Sequence, residues 1–322
     1  MNILVVGGAG YIGGLTTDLL MEQGWNVRVY DSLVYEESYR KPVDFVFGDI
    51  RDAQRLKPHL QWADAVVWLA ALVGDPACAI NPALTKAINE DTVKWLTENY
   101  GGRIAFLSTC SVYGAQDGVL DENSPTNPLS VYAATKLEAE HYLSGKNAII
   151  FRLGTIFGVG DLFSRIRLDL VVNFLTVKAH MTGKVSVFGG EQFRPLLHVR
   201  DVARAVTQTI GTAHTGVFNL QKQNVRIIDL AYQIRNHFPE LTIERTEMHF
   251  QDTRNYRVSS ENASTVLGFV PECSIDMGIE EIKKLLDMQR IKDFDNPRYS
   301  NQRFLATFGQ NFITGTAGSP NQ

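Results

Sequence analysis

Four apolar residues, Ile3-Leu4-Val5-Val6, run into Gly7-Gly8 near the start of the chain, a pattern that predicts a short strand buried on both faces. Over 11–23 the apolar positions Ile12, Leu15, Leu19 and Leu20 recur at helical spacing, and Gly24 stands where a helix stops. Val27–Tyr30 predicts the next strand. Asp44–Phe47, Ala65–Ala70 and Arg103–Ser108 repeat the strand pattern, with helices near 52–60 and 83–99 between the later ones. Tyr132–Ser144 reads as a further helix and Ala148–Leu153 as a further strand. Strands alternating with helices at this pitch predict an α/β fold, a doubly wound parallel sheet built from βαβ units.

Beyond Gly158 the rhythm changes. A mostly apolar helix is expected over about 166–181, then the strand Val185–Phe188, a strand–helix unit at Leu196–Val199 and Asp201–Ile210, and the strand Val217–Leu220. Helices follow near 227–237 and 276–289. Without a clean linker, the second lobe is read as interleaved with the first. Residues 1–153 with about 195–222 form the sheet domain, and about 154–194 with 223–290 form a smaller lobe. Residues 291–322 are a polar C-terminal extension whose end, Thr314–Gln322, is expected to be disordered.

Composition removes several alternatives. With 322 residues the chain can carry one large or two modest cores, and 44% hydrophobic with 20% charged residues is ordinary for a globular protein. A net charge of −4 argues against a nucleic-acid surface. Cys78, Cys110 and Cys273 lie far apart, so neither a disulfide framework nor a metal site is expected. No apolar run reaches the roughly 20 residues of a membrane span, and no signal-peptide pattern opens the chain. A cytoplasmic enzyme is the expectation.

Gly7-Gly8-Ala9-Gly10-Tyr11-Ile12-Gly13 places three spaced glycines between the first strand and the first helix. That context suits a Rossmann dinucleotide site: a tight turn, close approach of backbone to pyrophosphate, and close helix–strand packing. Asp31, at the end of the second strand, can accept from the ribose hydroxyls and repel a 2′-phosphate, which favours NAD over NADP; it also reads as a helix cap or a solvated loop residue. Asp49-Ile50 can hold the adenine, or Asp49 can cap the following helix. Leu69, Ala70 and Ala71 end the fourth strand, with two small side chains where a cofactor would pass closely.

Tyr132 and Lys136 lie four residues apart on one helical face. A phenol of pKa about 10 is too weakly acidic to act as a base at neutral pH, but a neighbouring ammonium favours the phenolate. Taken alone, the pair also reads as an exposed helical pair. Upstream, the run Phe106–Gly114 ends a strand where open α/β sheets build their sites, and Thr109 can hold a substrate oxygen there or merely cap the strand.

Together these motifs, with Arg152, Arg194 and His198-Val199-Arg200-Asp201, resemble the extended short-chain dehydrogenase/reductases of the nucleotide-sugar epimerase/dehydratase group, over residue 1 to roughly 290. The resemblance implies NAD as cofactor and a nucleotide-diphosphate sugar as substrate. In such enzymes the tyrosine, here Tyr132, takes the proton of a sugar hydroxyl, usually at C4, while NAD takes the hydride. Lys136 tunes it, and Ser108 joins the cofactor side. On the substrate side the resemblance puts Arg194 and Arg254 at the diphosphate, with Ser111, Asn173 and Thr155 lining the pocket; His198 reads as structural because it lies within a strand. It also implies a homodimer, formed through the helix near 83–99 and the helix bearing Tyr132.

The departures narrow the chemistry. Sugar 4,6-dehydratases of this group carry Thr-Asp-Glu where Thr109-Cys110-Ser111 stands here, so the acid and base that expel water are missing. Cys110 lies three residues before Tyr113, where the 3,5-epimerising relatives place a cysteine two before it, so it reads as a packed side chain. Thr155 occupies a place where many relatives have a nucleotide-sugar-binding asparagine. Ala71–Gly74 and Arg167–Asn173 are similar to a subgroup that includes GDP-heptose C4 dehydrogenases. A 4-epimerase is the leading expectation, a C4 dehydrogenase or 4-ketoreductase with net cofactor turnover the rival, and a non-catalytic NAD sensor a third reading.

Overall fold

The computed structural model describes residues 1–161, 163, 165–246 and 255–309. In chain order its strands are β1 (Asn2–Val6), β2 (Asn26–Asp31), β3 (Asp44–Phe47), β4 (Ala65–Trp68), β5 (Arg103–Thr109), β6 (Val119–Leu120) and β7 (Ala148–Leu153). They continue with β8 (Thr155–Phe157), β9 (Lys184–Phe188), β10 (Phe193–His198), β11 (Gly216–Leu220), β12 (Gln223–Arg226), β13 (Thr242–Thr246) and β14 (Arg257–Val258). Seven strands form one sheet in the order β11-β7-β5-β4-β1-β2-β3, and every pair in it is parallel.

Because successive side chains point to opposite faces, the apolar runs split between two layers. Val5, Val29, Val67, Leu107 and Phe151 pack against Leu20 and against Val202, Ala205 and Val206, on the helices Gly13–Glu22 and Val199–Thr209. Leu4, Val66, Trp68, Phe106 and Ile150 face Leu56, Leu60, Leu96 and Leu143 on the other side. The strand order reverses between β1 and β4, which opens a crevice beyond the carboxyl ends of the strands.

At Gly154 the chain leaves this sheet, since a Cβ there would stand 2.8 Å from the Pro195 carbonyl oxygen, and β8 enters a second sheet, β12-β10-β8. Phe157, Val172, Val185, Leu196, Ile228 and Ile279 form the core beneath it. The small pairs β13-β9 and β14-β6 were not evident from local pattern, because each forms between segments distant in the chain.

Three elements differ from expectation for identifiable reasons. The helix expected over 83–99 is Pro82–Lys86 and Thr92–Asn99, joined by a π-turn at Ala87–Asp91. That extra residue aims Asn89 at the loop after β4, where it accepts from the Leu72 amide at 2.8 Å and donates to the Leu72 carbonyl at 2.9 Å. The helix expected over 166–181 is Val171–Thr182, because the Arg167 carbonyl accepts from the Asn173 side chain and Arg167 pairs with Asp169. Finally, the extension read as merely polar carries a 3₁₀ turn, Pro297–Tyr299, and a helix, Asn301–Phe308, with Phe304 and Leu305 buried. The expectation for Thr314–Gln322 lies outside the described residues.

Candidate active site

β1 delivers the chain into the glycine turn. Gly7 has φ +86°, and a Cβ on it would lie 2.5 Å from the Ala70 backbone nitrogen; one on Gly13 would lie 2.5 Å from the Gly7 carbonyl oxygen. Neither position has room for a side chain, which is the cradle a pyrophosphate requires. Asp31 ends β2 beside this turn: its carboxylate accepts from the Ala9 amide at 3.0 Å and from the Leu33 amide at 2.7 Å. Burial raises its pKa against the pull of those amides. The amides of Leu69 and Ala70 both donate to the Val6 carbonyl, holding the end of β4 against the turn. Asp49 pairs with Arg51 at 2.6 Å; burial would raise its carboxyl, but Arg51 holds it below the ordinary value. Ile50 beside it is buried, and the Tyr11 hydroxyl donates to the Gly158 carbonyl at 2.6 Å.

The helix Val131–Leu143 carries Tyr132 and Lys136 to the end of β5. Ser130 caps it, accepting from the Ala133 amide at 3.1 Å and donating to Asp75 at 2.7 Å. Burial pushes the Tyr132 hydroxyl above its ordinary pKa, Cys78 and Asp75 push the same way, and Arg167 and the Thr109 hydroxyl oppose them. Lys136 is 3% exposed, with its Nζ 3.9 Å from the Phe106 ring centroid. Burial lowers its pKa to about 7 against the opposing influence of Glu140 and Cys78. Thr109 is buried, its hydroxyl accepting from the Ser111 amide at 3.1 Å.

Behind this pair runs a chain of buried polar groups. Ser108 donates to Glu140, Glu140 pairs with Arg152 at 2.7 Å, Arg152 donates to the Tyr113 hydroxyl at 2.9 Å, and that hydroxyl donates to Asn219 at 2.8 Å. Cys110 is fully buried, its thiol donating to the Arg152 carbonyl at 3.2 Å. Glu140 lies four residues beyond Lys136, a helical spacing that could have revealed it in the sequence. Cys78, Asp75 and Arg167 had no such signal, since the segments after β4 and β8 bring them in, and Asn89 is aimed at Leu72 by the π-turn.

On the substrate side, Arg194 is buried on β10, donating to the Phe193 carbonyl at 2.8 Å, and Thr155 lies on the neighbouring β8. The Ser111 hydroxyl is 3.4 Å from that of Tyr256. Asn173 is fully buried; it exchanges hydrogen bonds with Gly158 and donates to the Arg167 carbonyl, so its amide shapes the wall of the cleft. His198 accepts from the Arg200 amide at one ring nitrogen and meets Glu281 at the other, 2.9 Å away. Arg254 lies outside the described residues. Among the described residues no group of three or more His, Cys, Asp or Glu could hold a metal, and no helix is long and apolar enough to cross a membrane.

A glycine cradle after β1, an aspartate closing β2 and a Tyr-x-x-x-Lys helix at the end of β5 define a dinucleotide-dependent enzyme of the Rossmann class. The model of the NAD dependent epimerase/dehydratase family matches residues 3–220, and the chain belongs to that family, an NAD-using enzyme of the extended short-chain dehydrogenase/reductase type. The chain is 31% identical over 309 residues to a UDP-glucose 4-epimerase of Halalkalibacterium halodurans, covering 84% of this chain and 91% of the relative. Among solved structures, UDP-glucuronic acid 4-epimerase from Bacillus cereus, in complex with UDP-glucuronic acid and NAD, is 25% identical with a TM-score of 0.76, over 88% of this chain and all of that one. A UDP-glucose 4-epimerase from Thermotoga maritima, 24% identical, shares the fold with a TM-score of 0.79 over 90% of this chain and all of that one.

Proposed function

We propose that this chain is a nucleotide-sugar 4-epimerase that works by transient oxidation at the sugar C4. The observation that supports the reading is that the helix Val131–Leu143 carries Tyr132 and Lys136 one turn apart, with the Thr109 hydroxyl at the end of β5 acting on Tyr132. Gly7, Gly10, Tyr11, Ile12 and Gly13 would hold the pyrophosphate, Asp31 the ribose hydroxyls, Asp49 and Ile50 the adenine, and Leu69, Ala70, Ala71 and Ser108 the passage to the nicotinamide. When bound, NAD supplies the acceptor and later the donor of a hydride.

The residues of the chain perform the rest. Thr109 orients the C4 hydroxyl and Tyr132 Oη takes its proton as the C–H bond breaks. Lys136, one helical turn beyond Tyr132, would hold the nicotinamide ribose and, when charged, favour the phenolate. Tyr132 returns the proton once the 4-keto sugar has turned its other face. Arg194 anchors the diphosphate, with Arg254 beside it, while Ser111 and Thr155 border the sugar. Burial lowers the Lys136 pKa to about 7 and raises that of Tyr132, and the positive charge of a bound nicotinamide would favour the phenolate.

The test is a panel of UDP-, GDP-, CDP- and dTDP-sugars with added NAD, followed by NMR of the sugar and by absorbance of the reduced nicotinamide. A C4 epimer formed without net reduced cofactor is expected, and Tyr132→Phe should turn over about 10²–10⁴-fold more slowly. Stoichiometric NADH instead would make the protein a C4 dehydrogenase. No conversion of any sugar would remove the nucleotide-sugar reading.

A further inference from the structure

The described C-terminal residues do not trail into solvent. Ile291 is packed with Leu168, Val177 and Ile282, and after the largely exposed stretch 292–296 the chain crosses to the segments after β4 and β8. There Asn301, 3% exposed, joins three segments: its Nδ2 donates to the Val73 carbonyl at 2.7 Å, its Oδ1 accepts from Arg165, and its backbone amide donates to Asp169 at 2.8 Å. Val73 follows β4 on the cofactor side, whereas Arg165 and Asp169 belong to the loop after β8. The Arg165 guanidinium also donates twice to the Arg298 carbonyl, at 3.1 and 2.9 Å, and stacks 3.6 Å from the Tyr35 ring centroid. Leu168 donates its amide to the Tyr299 carbonyl at 3.0 Å.

Beyond this junction, Phe304 and Leu305 press onto Leu72, Ala77 and Cys78, with Tyr35 and Tyr132 packed against the same cluster. Phe304 meets the Tyr35 ring at 4.9 Å. An apolar plug therefore lies against the proposed base, and Asn301 ties it to the stretch after β4 and to the loop after β8.

We propose that Pro297–Phe308 is a lid over Tyr132, latched by Asn301, that swings on the exposed 292–296 stretch to admit substrate and closes to keep water off the 4-keto sugar. The role assigned to the lid rests on the epimerase reading, but its motion does not. Closure of this kind excludes water and sets when substrate enters and product leaves. Opening breaks the Asn301 and Arg165 hydrogen bonds and exposes Phe304 and Leu305, a local event that leaves the sheet core packed.

Cys78 beneath the lid reports the motion without turnover. It is fully buried, burial raises its thiol to about 12, and Cys110 and Cys273, also buried, serve as internal controls. Alkylation of the cofactor-free full chain by iodoacetamide, read cysteine by cysteine by mass spectrometry, tests the proposal. Asn301→Ala should speed labelling at Cys78 at least tenfold while leaving Cys110 and Cys273 unchanged. Phe304→Ala, which thins the plug and leaves the latch intact, should also speed Cys78 selectively. An unchanged Cys78 rate in either variant, or an equal rise at all three cysteines, overturns the lid. A negative sugar panel with selective Cys78 labelling would instead remove the epimerase reading and keep the lid.

Discussion

Lys136 is buried against its own charge, and that burial works against stability. Its folded pKa, about 7, lies well below the ordinary lysine value of about 10.4. Below pH 7 the ammonium stays on in the fold and its full burial penalty is present. Between about pH 7 and 10.4 the unfolded chain holds a proton the folded chain has released, so this group's contribution to stability rises with pH. Lys136→Met should therefore be more stable than the parent at pH 6, by about 2–4 kcal/mol in urea unfolding of cofactor-free protein, with the gap closing toward pH 10. A variant no more stable at pH 6 would show that the lysine is solvated in the fold. At this scale the residues proposed to hold cofactor and move the proton could be picked out because each sits at a fixed offset from a strand end or along a helix: Gly7 and Gly13 after β1, Asp31 at the end of β2, Lys136 one turn beyond Tyr132. Cys78 and Arg167 were not, because they reach Tyr132 only through loops whose paths depend on distant partners.

At the scale of elements, the helix Val131–Leu143 is held to β5 and β7 by the buried Glu140–Arg152 pair, with side chains 4% and 7% exposed. Removing one member of such a pair strands the other in a poorly solvated site. Arg152→Met should destabilise the chain by about 3–5 kcal/mol, and the double variant Glu140→Leu/Arg152→Met should recover much of that loss in denaturant titration. Recovery absent in the double variant would mean that the network to Tyr113 and Asn219, rather than the ion pair, holds the helix. The sheet elements were readable from period alone, since strands buried on both faces are continuous apolar runs. The π-turn at Ala87–Asp91 was hidden because its cause, the clasp between Asn89 and Leu72, spans 17 residues. The helix Asn301–Phe308 was hidden for a similar reason: two of its apolar residues are buried against the protein, and their partners lie far earlier in the chain, from Val34 to Tyr132.

For the whole molecule, a parallel sheet carries the glycine turn at its carboxyl edge, and Asn301 of the C-terminal segment ties the stretch after β4 to the loop after β8. The sheet could be read from the chain; the way the termini and loops close over it could not, because their contacts are almost entirely non-local. In the reaction proposed for this chain, the hydrogen on C4 leaves the sugar and returns without meeting water. The most direct test follows that hydrogen in whichever nucleotide sugar the protein converts, prepared with deuterium at C4. The account predicts a slowed reaction, full retention of deuterium at C4 of the epimer, and loss of both turnover and label transfer in Tyr132→Phe. Deuterium washing out into solvent during conversion would mean that the carbon loses a proton rather than a hydride, and would contradict it.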